Sequence, residues 1–173
     1  RAADVCVGNQ LLDAASRRLF DRPYDGGGAL ALAASADPAA TAGLHDRLAA
    51  QAAAGRSLGT VDDGAGVLSQ WLADVPEPLP PAVLLRSAVR AVALTVAAAC
   101  GRGAAVVAGG GAHNAALLDE LRQALGPQRP LTTSRQRAGI AVESREAVAM
   151  ALLGALSQDR VPITLPQVTG CHD

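Results

Sequence analysis

Three consecutive glycines, Gly109, Gly110 and Gly111, stand between an apolar run at residues 104–108 and a helical pattern at residues 115–125. That order reads as strand, glycine turn, helix N-terminus. Without a Cβ, the turn backbone can pass close to a bulky ligand. The N–H groups at the start of the following helix favour an anion such as a phosphate. The run alone leaves two readings open: an adenine nucleotide lying across the glycines, or a tight strand-to-helix turn with no ligand. It is not a dinucleotide fingerprint, because the third glycine of GxGxxG falls at Asn114. It is not a Walker loop, because the chain has no Lys. Asn114 is suited to cap its own helix, and His113 reads as a loop residue rather than a ligand.

The start of the chain repeats the pattern. Residues 2–7 read as a buried strand, Gly8 and Asn9 break it, and Leu11, Leu12, Ala15 and Leu19 recur at helical spacing. Asp4 falls within this apolar stretch, where an unpaired carboxylate is costly to bury. It either faces a cleft at a strand end, as a general base or a holder of Mg²⁺ through water, or caps the Gly8–Asn9 turn. Glu146 opens a helical pattern and reads in isolation as a solvated first-turn acid.

Composition narrows the classes. The 173 residues suffice for one domain with a core, and only 2% are aromatic, so that core is Ala, Leu and Val. All fifteen basic residues are Arg, and the net charge is −1. No nucleic-acid partner is implied. Cys6, Cys100 and Cys171 are widely spaced with no CxxC pair, which argues against a metal or disulfide framework and for a reducing cytoplasm. Residue 1 is Arg, and no charged-then-apolar leader follows, so no signal peptide is expected. The longest apolar segment, residues 82–100, has an uninterrupted part too short for a bilayer and reads as a buried amphipathic helix. Arg86 and Arg90 lie on one face of it, read as solvated or interdomain.

Further along, residues 29–54 read as helical in pieces with Pro38 in a first turn. Residues 56–66 read as loop and 67–72 as a short apolar turn or helix. Pro76, Pro78, Pro80 and Pro81 form a stiff connector. The helix after it is expected to end at Gly101 as its C′ residue. A helix from Asn114 stops at Gly126-Pro127. Residues 131–133 read as a short strand, 161–166 as extended. Residues 143–156 read as a helix with Ala147, Met150, Ala151 and Leu153 toward the core. The fold class is α/β. Asp4 to Asn9 and Gly109 to Asn114 both sit at strand ends, where such folds bind ligands.

Taken together, these motifs resemble the C-terminal part of the anhydro-N-acetylmuramic acid kinases, members of the actin/sugar-kinase/Hsp70 ATPase superfamily. Asp4-Val5-Cys6-Val7-Gly8-Asn9-Gln10-Leu11-Leu12-Asp13 resembles the family's DTGPGN-x-LID. Val106-Val107-Ala108-Gly109-Gly110-Gly111-Ala112-His113-Asn114 with Leu117-Leu118 resembles its VxGGGxxNxxLM. Thr132-Thr133 through Gly139, Glu146-Ala147-Val148-Ala149 and Leu165-Pro166-Gln167-Val168-Thr169-Gly170 resemble TT-x-x-x-G, kEAxAFAxLA and NLPSVTGA. Tyr24-Asp25 with the glycines after it is similar to YDxxG, and Arg56-Ser57-Leu58-Gly59 falls where the family has PPKSLGRE.

The resemblance implies an actin-like (ribonuclease H-like) ATPase lobe with a mixed sheet, flanking helices and helix-rich insertions. Residues 1–173 would be a single C-terminal nucleotide-binding lobe, with the N-terminal lobe outside this chain. The implied reaction is ATP- and Mg²⁺-dependent opening of 1,6-anhydro-N-acetylmuramic acid with phosphorylation of O6, in cytoplasmic cell-wall recycling. Asp4 falls on the family's catalytic base. Gly8 and Asn9 would lie near the phosphates, and Gly109, Gly110, Gly111 and Asn114 on the adenosine side. Glu146 is a candidate substrate contact, no protein metal site is implied, and a homodimer is left open. Val5-Cys6-Val7 replaces the family's Thr-Gly-Pro, which keeps a second reading alongside the enzyme: a degenerate kinase lobe that binds nucleotide or serves as an interaction module.

Overall fold

The computed structural model describes residues 4–54, 58 and 62–163. Its centre is a long apolar helix. Taking the α-helices in chain order, α1 is Gly8–Phe20, α2 Ala29–Leu32, α3 Pro38–Ala54, α4 Gly64–Asp74, α5 Pro81–Ala99, α6 Ala115–Leu125, α7 Ser134–Ala138 and α8 Arg145–Gln158. Strand β1 is Ala105–Val107 and β2 Leu131–Thr133. Single 3-10 turns occupy Gly26–Gly28 and Gly110–His113.

Helix α5 begins at Pro81, whose fixed φ suits a first helical position. It is long and apolar enough to cross a membrane, yet 61% of that span is buried within the fold. It acts as the core helix, with α1, α2, α3 and α6 packed around it. The shortage of aromatics makes the packing alanine-based: Ala88, Ala91 and Ala93 of α5 and Ala15 of α1 have no exposed surface. Trp71 of α4 is almost fully buried, and its indole N–H donates to Ala40 O at 2.9 Å. Gly64 lets α4 meet α1 backbone to backbone, since a Cβ there would fall 2.5 Å from Leu11 N.

Strands β1 and β2 pair in parallel, Val106 opposite Thr132, with α6 as the crossover. Helix α6 starts and stops as its sequence dictates. The Asn114 side chain accepts from Leu117 N–H at 3.0 Å, and Gly126 at φ 72° closes the C-terminus.

Several expectations are corrected. Residues 4–7 form no strand; among the described residues no neighbouring strand pairs with them, and an apolar run without a partner has no ladder to join. The sheet among the described residues is two-stranded and parallel rather than mixed. Helix α5 ends at Ala99 with Cys100 extended at φ −67°, so Gly101 is not a left-handed C′ residue. Arg86 is not solvated: it is buried, donating through Nε to Glu120 Oε1 and through Nη2 to Asp119 Oδ2, both at 2.8 Å. Its face of α5 meets α6, which supplies the carboxylates. Helix α8 has no buried residue, and Met150 is 62% exposed. The loop at 56–61, apart from Leu58, and the ending at 165–170 lie outside the described residues.

Candidate functional site

The two glycine-marked segments meet. Gly8 and Asn9 open α1, and the side chain of Asn9 lies against the Gly110–Gly111 backbone. A Cβ on Gly111 would sit 3.4 Å from Asn9 Oδ1, and one on Gly110 3.7 Å from Asn9 Nδ2. Gly109 enters the turn at φ 78°, a backbone that L side chains rarely adopt, and its N–H donates to Val142 O at 2.9 Å. Val7, the N-cap of α1, provides no side-chain cap. Gly8 N–H is hydrogen-bonded to the Cys6 sulfur, while no side-chain cap from Val7 satisfies the N–H groups that follow it, the condition under which a helix start attracts an anion.

Two cavities flank Asn9, which lines both. The first, of about 290 Å³, lies beyond the end of β1 between α1, α5 and the Gly110–Asn114 turn. Leu12, Leu85 and Val89 give it apolar walls; Asp13, Asp25, His113 and Asn114 give it polar ones. The second, of about 400 Å³, is lined by Asp4, Val5, Cys6, Gly8, Leu58 and Asp62 among others. Asp4 is exposed there, and its Oδ2 accepts from Leu58 N–H at 2.9 Å. It does not cap the Gly8–Asn9 turn; that hydrogen bond goes to the distant loop instead.

Cys6, half-buried in the same wall, has its thiol pushed up by burial, opposed by a hydrogen bond from the Gly8 backbone. It is therefore a neutral thiol rather than a nucleophilic thiolate at neutral pH. None of Val5, Cys6 and Val7 has positive φ, so side chains are accommodated there without backbone strain. At the rim of the first cavity, His113 Nε2 lies 2.6 Å from Glu143 Oε1. Glu143 is held below the usual carboxylate range, first by a hydrogen bond from its own backbone and then by His113.

Asp4, Gly8, Asn9, Gly110, Gly111 and Asn114 thus gather around the paired cavities, with Gly109 setting the turn. Glu146 lies exposed on α8 and lines neither cavity. Residues that sequence reasoning missed are the cavity walls Leu12, Asp13, Leu85 and Val89. Their signal was spacing: Asn9, Leu12 and Asp13 share one helical face of α1, and Leu85 and Val89 one face of α5. Asp25 and Gly28 were visible as part of a turn, but not Asp25 as a wall of the first cavity or Gly28 as a neighbour of α6. Among the described residues, no three His, Cys, Asp or Glu side chains converge as a protein-built metal site.

The family model for anhydro-N-acetylmuramic acid kinase matches residues 1–173. Curated relatives bearing that name include one from Bordetella parapertussis, 34% identical over 99% of this chain and 47% of its own length. Others are from Bordetella petrii, 36% identical over 99% of this chain, and Salinibacter ruber, 31% identical over 98%. The chain spans about 47% of the length of the Bordetella relatives and 45% of the Salinibacter one. By the full-length family match and these identities, this chain belongs to the anhydro-N-acetylmuramic acid kinase family.

Proposed function

We propose that this chain is the nucleotide-binding lobe of an actin-like ATPase fold, serving a cytoplasmic kinase that opens 1,6-anhydro-N-acetylmuramic acid and phosphorylates its O6. The observation that carries the reading is Asn9. It stands between a cavity holding a carboxylate, Asp4, and one walled by the glycine turn and apolar side chains. A phosphate chain near the start of α1 would bridge the two, its base and ribose in the first cavity and its terminal phosphate toward Asp4.

Asp4 is positioned to serve as the base. Its Oδ2 is held by Leu58 N–H, which fixes the carboxylate while it takes a proton from water. That water attacks C1 of the sugar, the C1–O6 bond breaks, and O6 bonds to the γ-phosphorus as ADP leaves. Mg²⁺ suits the hard oxygens of Asp4 and the phosphates and, when bound, would neutralise charge on the transferring group. The rest of the enzyme is the natural cover for surfaces left bare here: Val106 of β1 is 50% exposed, and α8 presents Val148, Met150 and Leu152.

The test uses the full gene product that contains this chain, with ATP, Mg²⁺ and 1,6-anhydro-N-acetylmuramic acid. ADP and the 6-phosphate should appear together, and Asp4→Asn should abolish both. Nucleotide binding without turnover would favour the degenerate-lobe reading that Val5-Cys6-Val7 suggests. Absence of both would leave only the inherited fold.

A further inference from the structure

The first cavity contains a carboxylate with no structural employment. Both oxygens of Asp25 are taken, by Leu30 N–H at 2.9 Å and Ala31 N–H at 3.0 Å. Asn114 Oδ1 accepts from Leu117 N–H, and His113 Nε2 faces Glu143. Among the described residues, Asp13 has no hydrogen bond or ion pair. It is nonetheless half-buried in the cavity wall, and no Arg lines that cavity to neutralise it.

We propose that Asp13 anchors the ribose of the bound nucleotide, its two carboxylate oxygens accepting from the 2′- and 3′-hydroxyls. This rests on the nucleotide-binding reading above. A carboxylate offers only acceptors, so the ligand group beside it must be a donor and cannot be a phosphate. Two adjacent acceptor oxygens match two adjacent hydroxyls. Asp13 lies four residues along α1 from Asn9, about 6 Å of helix rise. The phosphates therefore gather at the start of α1, the ribose sits one turn further along, and the base packs on Leu12, Leu85 and Val89.

Calorimetry on the full gene product would compare ADP with 2′,3′-dideoxy-ADP. The wild type should bind ADP at least about tenfold more tightly, the scale of hydrogen bonds to a charged acceptor. Asp13→Ala should close that gap to within about twofold while leaving the affinity for dideoxy-ADP in place, a pattern that general misfolding does not produce. Asp13→Asn, which keeps one acceptor, should fall between and decides the matter if the alanine variant does not fold. Equal binding of the two nucleotides by the wild type, or a gap that survives both substitutions, overturns the proposal alone. Failure of the folded wild type to bind ADP overturns the nucleotide reading and the proposal with it.

Discussion

Gly28 and Asn114 interlock: at φ 76° the bare Cα of Gly28 leaves room for the Asn114 carboxamide, the group that caps α6. A Cβ on Gly28 would run into Asn114 Oδ1 and lie 2.7 Å from Ala116 N. The turn at Gly26–Gly28 is thereby seated on the first turn of α6, beside the Gly110–His113 turn, and both contribute to one cavity wall. Gly28→Ala combines left-handed strain of about 1–2 kcal/mol with a displaced cap worth about 0.5–2 kcal/mol. Urea unfolding should register a loss of about 1.5–4 kcal/mol. Gly27, at φ 67° with nothing within 4 Å of its would-be Cβ, is the control. Gly27→Ala should show the strain alone, and equal losses at the two positions would refute the interlock.

The Arg86–Glu120 pair joins the middle of α6 to the N-terminal half of α5, next to the cavity residues Leu85 and Val89. Glu120 is only 3% exposed, and Arg90 Nη1 approaches its second oxygen at 3.6 Å. Charges taken so far out of water depend on one another. Arg86→Met should destabilise by about 3–5 kcal/mol, because Glu120 is left buried with only the more distant Arg90. Arg86→Met with Glu120→Leu should recover most of that loss. A double variant no more stable than the single one would show that packing, not charge, governs the contact.

Asp119 takes the other arm of the same guanidinium, which holds its carboxyl below the usual carboxylate range through the Arg86 hydrogen bond. A depressed folded pKa stabilises the fold above the unfolded value, about 3.9, and the benefit disappears as pH falls through the lower folded value. Wild type should therefore be more stable than Asp119→Asn at pH 6, with the difference shrinking below about pH 4. Thermal melts of the two proteins across roughly pH 2.5 to 6, the range in which carboxylates titrate, measure this. A difference constant over the range would remove the ion pair from the account. Since Asp119 is half-exposed, the effect at pH 6 should be modest, about 0–1 kcal/mol.

Much of this architecture was legible from local chemistry. Asn114 and Gly126 fix α6 because a cap and a left-handed glycine act on their own helix, whatever surrounds it. Pro38 marks a helix start for the same reason, whereas Pro81, read as the end of the connector, is itself the first residue of α5. Misreadings arose where the outcome depends on a distant neighbour. Residues 4–7 are apolar like a strand, yet a strand exists only beside another strand. Arg86 resembles any surface arginine until α6 brings Glu120 to it. The apolar residues of α8 are present in the sequence, but they lie all round the helix, and local pattern cannot say what covers them. In the site, glycine spacing marked Gly8–Asn9 and Gly109–Gly111, whereas Leu85 and Val89 look like ordinary core positions until the cavity is seen.

Arg129 gathers the C-terminal ends of α5, which walls the first cavity, and of α6, whose N-cap Asn114 lines it. Its Nε donates to Leu125 O at 2.9 Å, Nη1 to Ala97 O at 3.2 Å and Nη2 to Ala124 O at 3.3 Å. These carbonyls belong to the last turns of α5 and α6, where backbone acceptors lack helical partners and the helix dipoles favour a cation. One planar guanidinium thus ties both C-termini at once, a geometry that a lysine ammonium on its flexible stem does not reproduce. Arg129→Ala should cost about 1–3 kcal/mol in urea unfolding, and Arg129→Lys should restore less than half of it. Because Arg129 lines neither site cavity, ADP affinity of the folded Arg129→Lys protein should stay within about twofold of wild type, as expected for a change remote from the ligand. A larger affinity loss with unchanged stability would mean that the clamp sets where α5 and the Asn114 cap of α6 stand at the cavity rather than the stability of the two helices.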